Sequence, residues 1–568
     1  MPKPLHSHRD AWLPATLSIG TGIALALALV EALTDRAGIR VGPWLLPVRE
    51  IWRPLLVAAL LGAGRIVVAA RSTRGTGQRG AMKPLAEAAA RIVFACGIAA
   101  AVLIWAQYQV RDCGGADSYG YVSAAHAIVS SELIVPQPIV AWLPFADGIS
   151  AATPLGWTPR PSGDAAVPFY PLGFPLVMAA AMMLAGAGAV FYVPLLAGIG
   201  ILIVTYLLTR QLAGSFVAAA TTMVVAFNPM LMNMVIQPMS DVPAAFWYVL
   251  AMALVLTAPA RPLRSGLAFG MAVWTRPLVL AAAPALLLVM PRDRRTLVRW
   301  CWGVAPVAGA MAAVQWWLYG SPFRLGYGSA AGLFAGAGFV ANVLAYAKWI
   351  LIIHSPVFLV AFAVGVWRAP RRLAIVAVAG LLCGVAPYLF KAEYFDDWDL
   401  VRYLLPVLIP CIILASVGVA SALERSLPRL AFVVVLVLVA AGASAASYRF
   451  VANRSTFQLG FQESRYPAVG AWVATHTPPQ AVILADVHDG SLRLYAHRTT
   501  LRIDRVPAGM LAATVTNLAG GGMECYAAVD GVTEMQRFQA RLIGEHGQLV
   551  AEPIGRVRET TIFRLRQQ

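Results

Sequence analysis

The chain has 568 residues, 59% of them hydrophobic and only 12% charged. Soluble globular chains carry roughly a quarter charged residues, so this composition excludes a water-soluble globular protein and names lipid as the solvent. The net charge of +17 comes from 44 Lys and Arg against 27 Asp and Glu, but the arginines stand in short clusters between apolar runs. That is the pattern of loops at an anionic membrane surface, not of a nucleic-acid binder.

Apolar runs of spanning length, about 20 residues, fall near 11–33, 52–70, 88–107, 190–209, 213–229, 240–258, 298–318, 344–366, 372–390, 402–422 and 428–447. The first follows Lys3 and Arg9 as a signal peptide would, yet it is long enough to cross and a second run follows closely. It reads as an uncleaved first helix. Arg71, Arg74, Arg79 and Lys83 form a basic loop, which the positive-inside rule places in the cytoplasm. Counting outward, 108–171 is external, and the later arginine clusters at 261–264, 292–299, 368–372 and 425–429 are internal.

Two segments need local adjustment. The stretch 172–188 starts among Pro171, Gly173 and Pro175 and reads as a helix lying in or dipping into the external face. The stretch 265–291 is basic on both flanks, so the chain returns to the side it left, but 27 residues are too few for two full spans at 1.5 Å rise per residue. Two short helices meeting partway fit, with Trp274-Thr275-Arg276-Pro277 at the apex and Arg276 lining a cavity open to the outside. The total is about thirteen membrane helices.

From Tyr448 the chain turns polar. Strand-like runs at Ala481–Val487, Thr499–Ile503, Glu524–Val529 and Thr560–Leu565 alternate with helix-like runs at 465–476, 507–518 and 533–545, which predicts a small α/β domain, external by parity. The expected organisation is an all-α polytopic membrane domain followed by this α/β domain. Residues 1–87 hold two extra N-terminal helices and the basic loop, 88–447 the membrane core with its large external loop 108–171, and 448–568 the external domain. Gly520-Gly521-Gly522 precedes a strand rather than a helix and reads as a turn, so no nucleotide site is expected. The six cysteines show no C-x-x-C spacing, hence no zinc or redox motif. Cys113 and Cys525 both fall outside, either as a disulfide or as two free thiols.

Charges at membrane borders are expensive and usually face a cavity. The external side collects Asp112, Asp117, Glu132, Asp147, Arg160 and Asp164 in the first loop, Asn233 and Asp241 after 229, Arg324, Tyr327 and Lys348 after 318, and Lys391, Glu393, Asp396, Asp397, Asp399, Arg402 and Tyr403 after 390. This mixture of carboxylates and cations suits an acidic lipid substrate and a proton-abstracting step. Plainer roles stand beside it. Asp117 could cap a helix starting at Ser118, and Asp241 could cap one through Val242-Pro243. Asp396, Asp397 and Asp399 could favour a helix N-terminus or hold a metal, and Arg276 could snorkel. His126 and His354 are isolated and structural, and His488 has no partner spacing.

Six pieces occur in order along the chain: Gly115-Ala116-Asp117-Ser118-Tyr119 with Tyr121; Phe169-Tyr170-Pro171-Leu172-Gly173-Phe174-Pro175; Asn228-Pro229 with Ser240-Asp241-Val242-Pro243; Gly266-Leu267-Ala268-Phe269-Gly270 with Thr275-Arg276-Pro277; Gly320-Ser321-Pro322-Phe323; and Arg402-Tyr403-Leu404-Leu405-Pro406. Over about residues 88–422 this order resembles the GT-C superfamily of polyprenyl-phosphate-sugar-dependent membrane glycosyltransferases, in particular bacterial aminoarabinose transferases and protein O-mannosyltransferases. The resemblance implies transfer of a sugar to a lipid, glycan or protein acceptor of the cell envelope, at the external face of the plasma or inner membrane. Two extra spans precede the core. The acidic motif has Asp117 followed by Ser118 where many members carry paired acids, so a divalent metal is left open and no other cofactor is implied.

Topology argues for the donor independently. The cytoplasmic loops are too short to form a nucleotide-sugar domain, so a sugar used outside arrives on a lipid, and its phosphate needs cations. Arginine offers a fixed fork of donors that matches phosphate oxygens. Arg276 and Arg402 are the donor-phosphate candidates and Asp117 the general base. Asp112, Tyr119, Tyr121, Asp164, Asp241, Arg324, Lys391 and Tyr403 are further substrate-binding candidates. The alternative is a transporter or lipid-handling protein without chemistry, for which paired interrupted helices in two related halves are expected; the sequence offers one broken pair.

Overall fold

The computed structural model describes residues 82–328, 333–392, 396–545 and 547–568, with a short antiparallel strand pair at Ile39–Val41 and Trp44–Leu46. The expected spans 11–33 and 52–70 lie outside the described residues. Among the described residues, seven helices are long and apolar enough to cross a membrane: Glu87–Gln107, Ala187–Ala226, Arg294–Tyr319, Gly336–Arg368, Arg371–Leu389, Trp398–Ser426 and Arg429–Ala452. Shorter apolar helices add to them at Gly173–Ala185, Asp241–Leu256 and Pro277–Val289. The chain is a multi-pass membrane protein.

In chain order, α1 (Met82–Gln107) leads into a loop that carries α2 (Asp117–Ser130) and a small antiparallel sheet. Its strands β1 (Val135–Pro136), β2 (Trp157–Pro159) and β3 (Ala165–Pro168) lie in the order β1-β3-β2. Helix α3 (Gly173–Ala185) follows, then α4 (Val193–Ala226), which bends at Gly214, where φ is 82°. That bend divides the two apolar runs that the sequence separates near 210. Asn228 ends the passage. Its side chain accepts from Leu231 N–H and Pro229 takes the first helical position, which together start α5 (Pro229–Val235).

Helix α6 (Asp241–Leu256) leads to α7 (Pro262–Thr275). The chain breaks at Arg276-Pro277, turns through a 3₁₀ segment Pro277–Ala282, and ends in α8 (Ala283–Val289). This is the short helix pair expected for 265–291, with its apex at Arg276. At the far end of the pair, Arg372 donates to Val255 O (3.0 Å) and Val289 O (2.8 Å), binding final carbonyls of α6 and α8. Helix α9 (Arg294–Tyr319) is capped by the Asp293 side chain on Thr296 N–H at 2.8 Å. It crosses α7 at closest backbone approach: a Cβ on Gly266 would lie 2.1 Å from Trp300 O, and one on Gly303 2.1 Å from Leu263 O. Small residues in this arrangement let membrane helices touch backbone to backbone.

Next come α10 (Phe339–Arg368), broken at Ser355, then α11 (Arg371–Leu389), α12 (Leu405–Ser426) after a 3₁₀ turn Trp398–Leu404, and α13 (Arg429–Ala452). Helix α12 is the central one, with Leu405–Ala415 wholly buried by its neighbours.

Beyond α13 the chain forms a five-stranded mixed sheet. It contains α14 (Arg465–His476), β4 (Val482–Ala485), α15 (Asp489–Tyr495), β5 (Thr499–Arg502), α16 (Leu511–Gly520), β6 (Cys525–Asp530), α17 (Gly531–Gly544), β7 (Leu549–Val557) and β8 (Thr560–Gln567). The order is β5-β4-β6-β8-β7, parallel across β5-β4-β6 and antiparallel beyond. The four strand-like runs of the sequence are strands here. Strand β7 and helix α15 are additions: β7 is an edge strand with little burial, and α15 is only seven residues long, so neither carries a clear periodicity.

Candidate active site

Four separate stretches meet at one end of the bundle. Asp117 is the first residue of α2. Arg276 stands at the apex between α7 and α8. Asp241 opens α6, and Arg402 lies in the 3₁₀ turn before α12. Local sequence explains each placement. Proline after Arg276 denies the helix its next N–H, so the arginine sits in extended backbone (φ −146°, ψ 99°) instead of on a helix face. Gly173 makes room for that apex: a Cβ there would lie 2.6 Å from Thr275 N.

The pairing is specific. One Asp117 carboxylate oxygen lies 3.0 Å from Arg402 Nη2, and the other accepts from the Tyr170 hydroxyl. Arg402 also holds Asp399 through Nε at 3.3 Å. Arg276 Nη2 lies 2.8 Å from Asp241 and 3.4 Å from Ser240 Oγ, and Ser240 in turn bonds Tyr121 Oη at 2.8 Å. Both arginine side chains are 14% exposed and Asp241 is 1% exposed, whereas Asp117 is 37% exposed, the most open carboxylate of the two pairs Asp117–Arg402 and Asp241–Arg276.

Tyr403 ties the cations together. Arg276, Arg402 and Lys391 lie 5.0, 5.1 and 5.3 Å from its ring centre, and Tyr388 stacks against it at 5.3 Å. Three cations lie around one ring, whose quadrupole favours them there, and Asp117, Asp241 and Asp399 balance their charge. A second chain of contacts anchors Arg402 from behind: Asn233 donates to Asp399 at 3.2 Å and accepts from Thr456 Oγ1 at 3.1 Å.

Of the residues singled out by sequence, the fold therefore gathers Asp117, Tyr121, Asp241, Arg276, Lys391, Arg402 and Tyr403. Helix capping does not explain Asp117 or Asp241, because neither stands at an N-cap and both carboxylates face arginines. Four candidates belong elsewhere. Tyr119 is buried against Gly490 of the C-terminal sheet unit, since α2 turns that face away from the cluster. Asp112 lies among Cys113, Glu463 and Arg558, half-buried, and burial raises its carboxyl above the ordinary range. Asp164 is exposed in a tight turn with Ser162 and Arg160. Arg324 is exposed in the turn after α9. Asp396 pairs with Lys348 at 2.8 Å and takes the Trp349 indole N–H, and these donors hold its carboxyl below the usual range. Asp397 caps the 3₁₀ turn. Cys113 and Cys525 are free, with the Cys113 backbone N–H donating to Tyr495 Oη at 3.0 Å.

Tyr170, Ser240, Asn233 and Tyr388 complete the site. Asn233 was already in the external set, whereas Tyr170 and Ser240 stood inside quoted motifs and were not singled out, because their role rests on contacts with Asp117 and Arg276 that only the fold brings about. Among the described residues no three His, Cys, Asp or Glu side chains gather as a metal site. Asp117, Asp241 and Asp399 are each engaged by an arginine, so the cluster does not fit a divalent cation.

The described fold, a polytopic helical bundle with a C-terminal α/β unit, is similar to that of solved GT-C glycosyltransferases. The chain is similar to ArnT from Cupriavidus metallidurans in the apo state, with a TM-score of 0.52 at 15% identity over 83% of this chain and 97% of that one. It is also similar to the oligosaccharyltransferase of Archaeoglobus fulgidus in complex with Zn and sulfate, with a TM-score of 0.50 at 14% identity over 82% of this chain and 72% of that one. The sequence matches no protein-family model and no curated protein.

Proposed function

We propose that this protein is a membrane glycosyltransferase that moves a sugar from a polyprenyl-phosphate donor to a lipid, glycan or protein acceptor of the cell envelope, at the external face of the membrane. The observation that carries the reading is the Asp117 carboxylate, partly open, paired with Arg402, which shares the Tyr403 ring with Arg276. It stands on a fold that glycosyltransferases share.

The roles follow from chemistry. The donor phosphate binds between Arg276 and Arg402, with Lys391 beside them. Arg402, held by Asp117 through Nη2 and by Asp399 through Nε, and Arg276, held by Asp241 through Nη2, each keep further N–H donors for phosphate oxygens. The acceptor hydroxyl lies against Asp117, which takes its proton as the acceptor oxygen bonds to the sugar C1. The C1–O bond to phosphate breaks with an oxocarbenium-like transition state. The electron pair leaves on the phosphate, whose growing charge the arginines stabilise. Tyr170 holds the Asp117 carboxylate in place. Two N-terminal helices in 1–87, a catalytic core in 88–447 and an external α/β domain in 448–568 complete the proposed organisation.

The test is transfer. Membranes containing the protein are offered a panel of radiolabelled polyprenyl-phosphate sugars with envelope lipid, glycan and protein acceptors. Label should move to an acceptor with the wild-type protein, and its failure to move across the whole panel would favour the transporter reading.

A further inference from the structure

The parallel part of the C-terminal sheet doubles back on itself. From β4 the chain runs through α15 to β5 on one side. It then crosses through α16 to β6 on the other side of β4, and leaves β6 through α17 toward β7. The connections from the carboxyl ends of β4 and β6 therefore diverge, and an open α/β sheet has a ligand-binding crevice at such a point. A cavity of about 220 Å³ lies there, between Leu484 and Asp486 at the end of β4, Val529 at the end of β6 and Phe538 of α17. A second cavity of about 170 Å³ shares Asp486, Asp504, Glu534 and Arg537 with it and extends to Val487 and Leu155. Each has room for about six or seven water-sized groups at roughly 30 Å³ each, on the order of one sugar ring.

The walls decide the charge of the ligand. A phosphate would take the free N–H groups at the start of α17, but Glu534 already fills that place. Its carboxylate accepts from Asp530 N–H at 2.8 Å and from Val487 N–H at 3.1 Å. Carboxylates and guanidiniums balance around it: Asp486, Asp504 and Glu534 line the two cavities together with Arg502, Arg537 and Arg541. A ligand charged with either sign would meet like charge. A neutral hydroxyl both donates and accepts, so it fits between a carboxylate and a guanidinium. These groups are reachable, since the Asp486, Asp504 and Arg537 side chains are 15%, 35% and 63% exposed. Arg537 stands 3.7 Å from Asp486, beyond hydrogen-bond distance, which leaves both open to a third group. Ile503 and Phe538 make the wall beneath them apolar, which suits the C–H face of a sugar ring.

We propose that this crevice is a binding site for a neutral saccharide of one or two rings. Its hydroxyls donate to Asp486 and Asp504 and accept from Arg537. The site is separate from the Asp117 cluster and does not depend on the glycosyl-transfer reading.

The experiment is a saturation-transfer NMR titration of the full-length protein in an amine-oxide detergent, which carries no sugar. The probes are neutral disaccharides of glucose, galactose and mannose, the matching glucosamine and glucuronic-acid disaccharides, and inorganic phosphate as competitor. Wild-type protein should bind a neutral disaccharide more tightly than its charged counterparts, and phosphate should not displace it. Asp486→Asn should weaken that binding about tenfold and still fold, because Asn keeps an oxygen to accept from Asp504 N–H. Arg537→Gln, at an exposed position, should weaken it a few-fold. The same disaccharide on a lipid anchor is a second arm: tighter binding of the anchored form assigns the crevice to a membrane glycolipid, equal binding assigns it to a free or chain-terminal saccharide, and both outcomes support the site. Absence of binding by every neutral disaccharide, or tighter binding of a charged one, would overturn the proposal with no variant needed. Binding that survives Asp486→Asn but is lost in Asp117→Asn would also overturn it, because the sugar would then lie in the Asp117 cluster.

Discussion

Asp117→Asn separates catalysis from architecture. In the wild type one carboxylate oxygen meets Arg402 at 3.0 Å and the other takes the Tyr170 hydroxyl. Asn keeps a single acceptor oxygen, so one of those donors faces an amide N–H₂ instead. Arg402 is not stranded, because Asp399 still holds it at 3.3 Å. A charge-assisted hydrogen bond is worth about 1.5–3 kcal/mol when buried. Asp117 is 37% exposed, so solvent screening brings the expected folding cost down to about 1 kcal/mol. Loss of a general base costs roughly 10²–10⁴-fold in rate, or about 2.7–5.4 kcal/mol of barrier. The variant should therefore insert, bind donor and melt within a few degrees of wild type, but transfer sugar at least about 100-fold more slowly. Initial rates in proteoliposomes, with donor binding and thermal midpoints on the same preparations, separate these effects. Full transfer by Asp117→Asn would refute the base assignment and leave Asp399 as the remaining carboxylate on Arg402. Loss of transfer only in step with loss of folded protein would refute it equally.

Arg276→Ala leaves Asp241, 1% exposed, without its partner. An uncompensated buried charge costs about 3–5 kcal/mol, so the single variant should be unstable; adding Asp241→Asn should restore the thermal midpoint without restoring donor binding. Gly173→Ala puts a methyl 2.6 Å from Thr275 N; a melting shift corresponding to about 1–3 kcal/mol, with reduced transfer, is expected as the Arg276 apex is displaced. In the C-terminal unit, burial pushes the Asp489 carboxyl up to about 6, against the opposing Arg493 charge and Thr500 hydrogen bond. The folded form then binds this proton more tightly than the unfolded form, whose carboxyl titrates near 4. Its stabilising contribution is full below about pH 4, falls by at most about 1.4 kcal/mol per pH unit up to about pH 6, and is flat above. Denaturant melts of wild type and Asp489→Asn should diverge in that window only, and a constant difference across it would show that the carboxyl is not shifted. Single cysteines at position 150 and at the exposed position 499 should label from outside in a cysteine-free background, and those at 76 and 295 should not; labelling at 76 would overturn the proposed topology.

Much of this was legible in the chain itself. Hydrocarbon tolerates neither bare backbone nor unpaired charge, so apolar run lengths mark the chain as multi-pass and every charge left at a border is informative. That is why Asp117, Asp241, Arg276 and Arg402 could be named before any coordinates. Basic flanks and a span too short to cross twice led to the break at Arg276-Pro277 for the same reason. Run lengths do not fix the number of crossings: about thirteen membrane helices were expected, and seven of spanning length stand among the described residues. In the C-terminal stretch, strand periodicity sufficed for β4, β5, β6 and β8 and failed for the exposed edge β7.

Partner choice was not legible. Asp117 and Arg402 are 285 residues apart and Asn233 and Asp399 are 166 apart, and no local pattern relates them. Nor does spacing reveal which side of a helix faces the site. Tyr119 and Tyr121 look equivalent in sequence, yet two residues on a helix point about 200° apart. One therefore packs on Gly490 while the other reaches Ser240. The sequence by itself determined which groups lipid would not leave unpaired, because that cost belongs to each residue alone. Only the tertiary structure decided what they are paired with, because pairing depends on packing between segments distant in the chain.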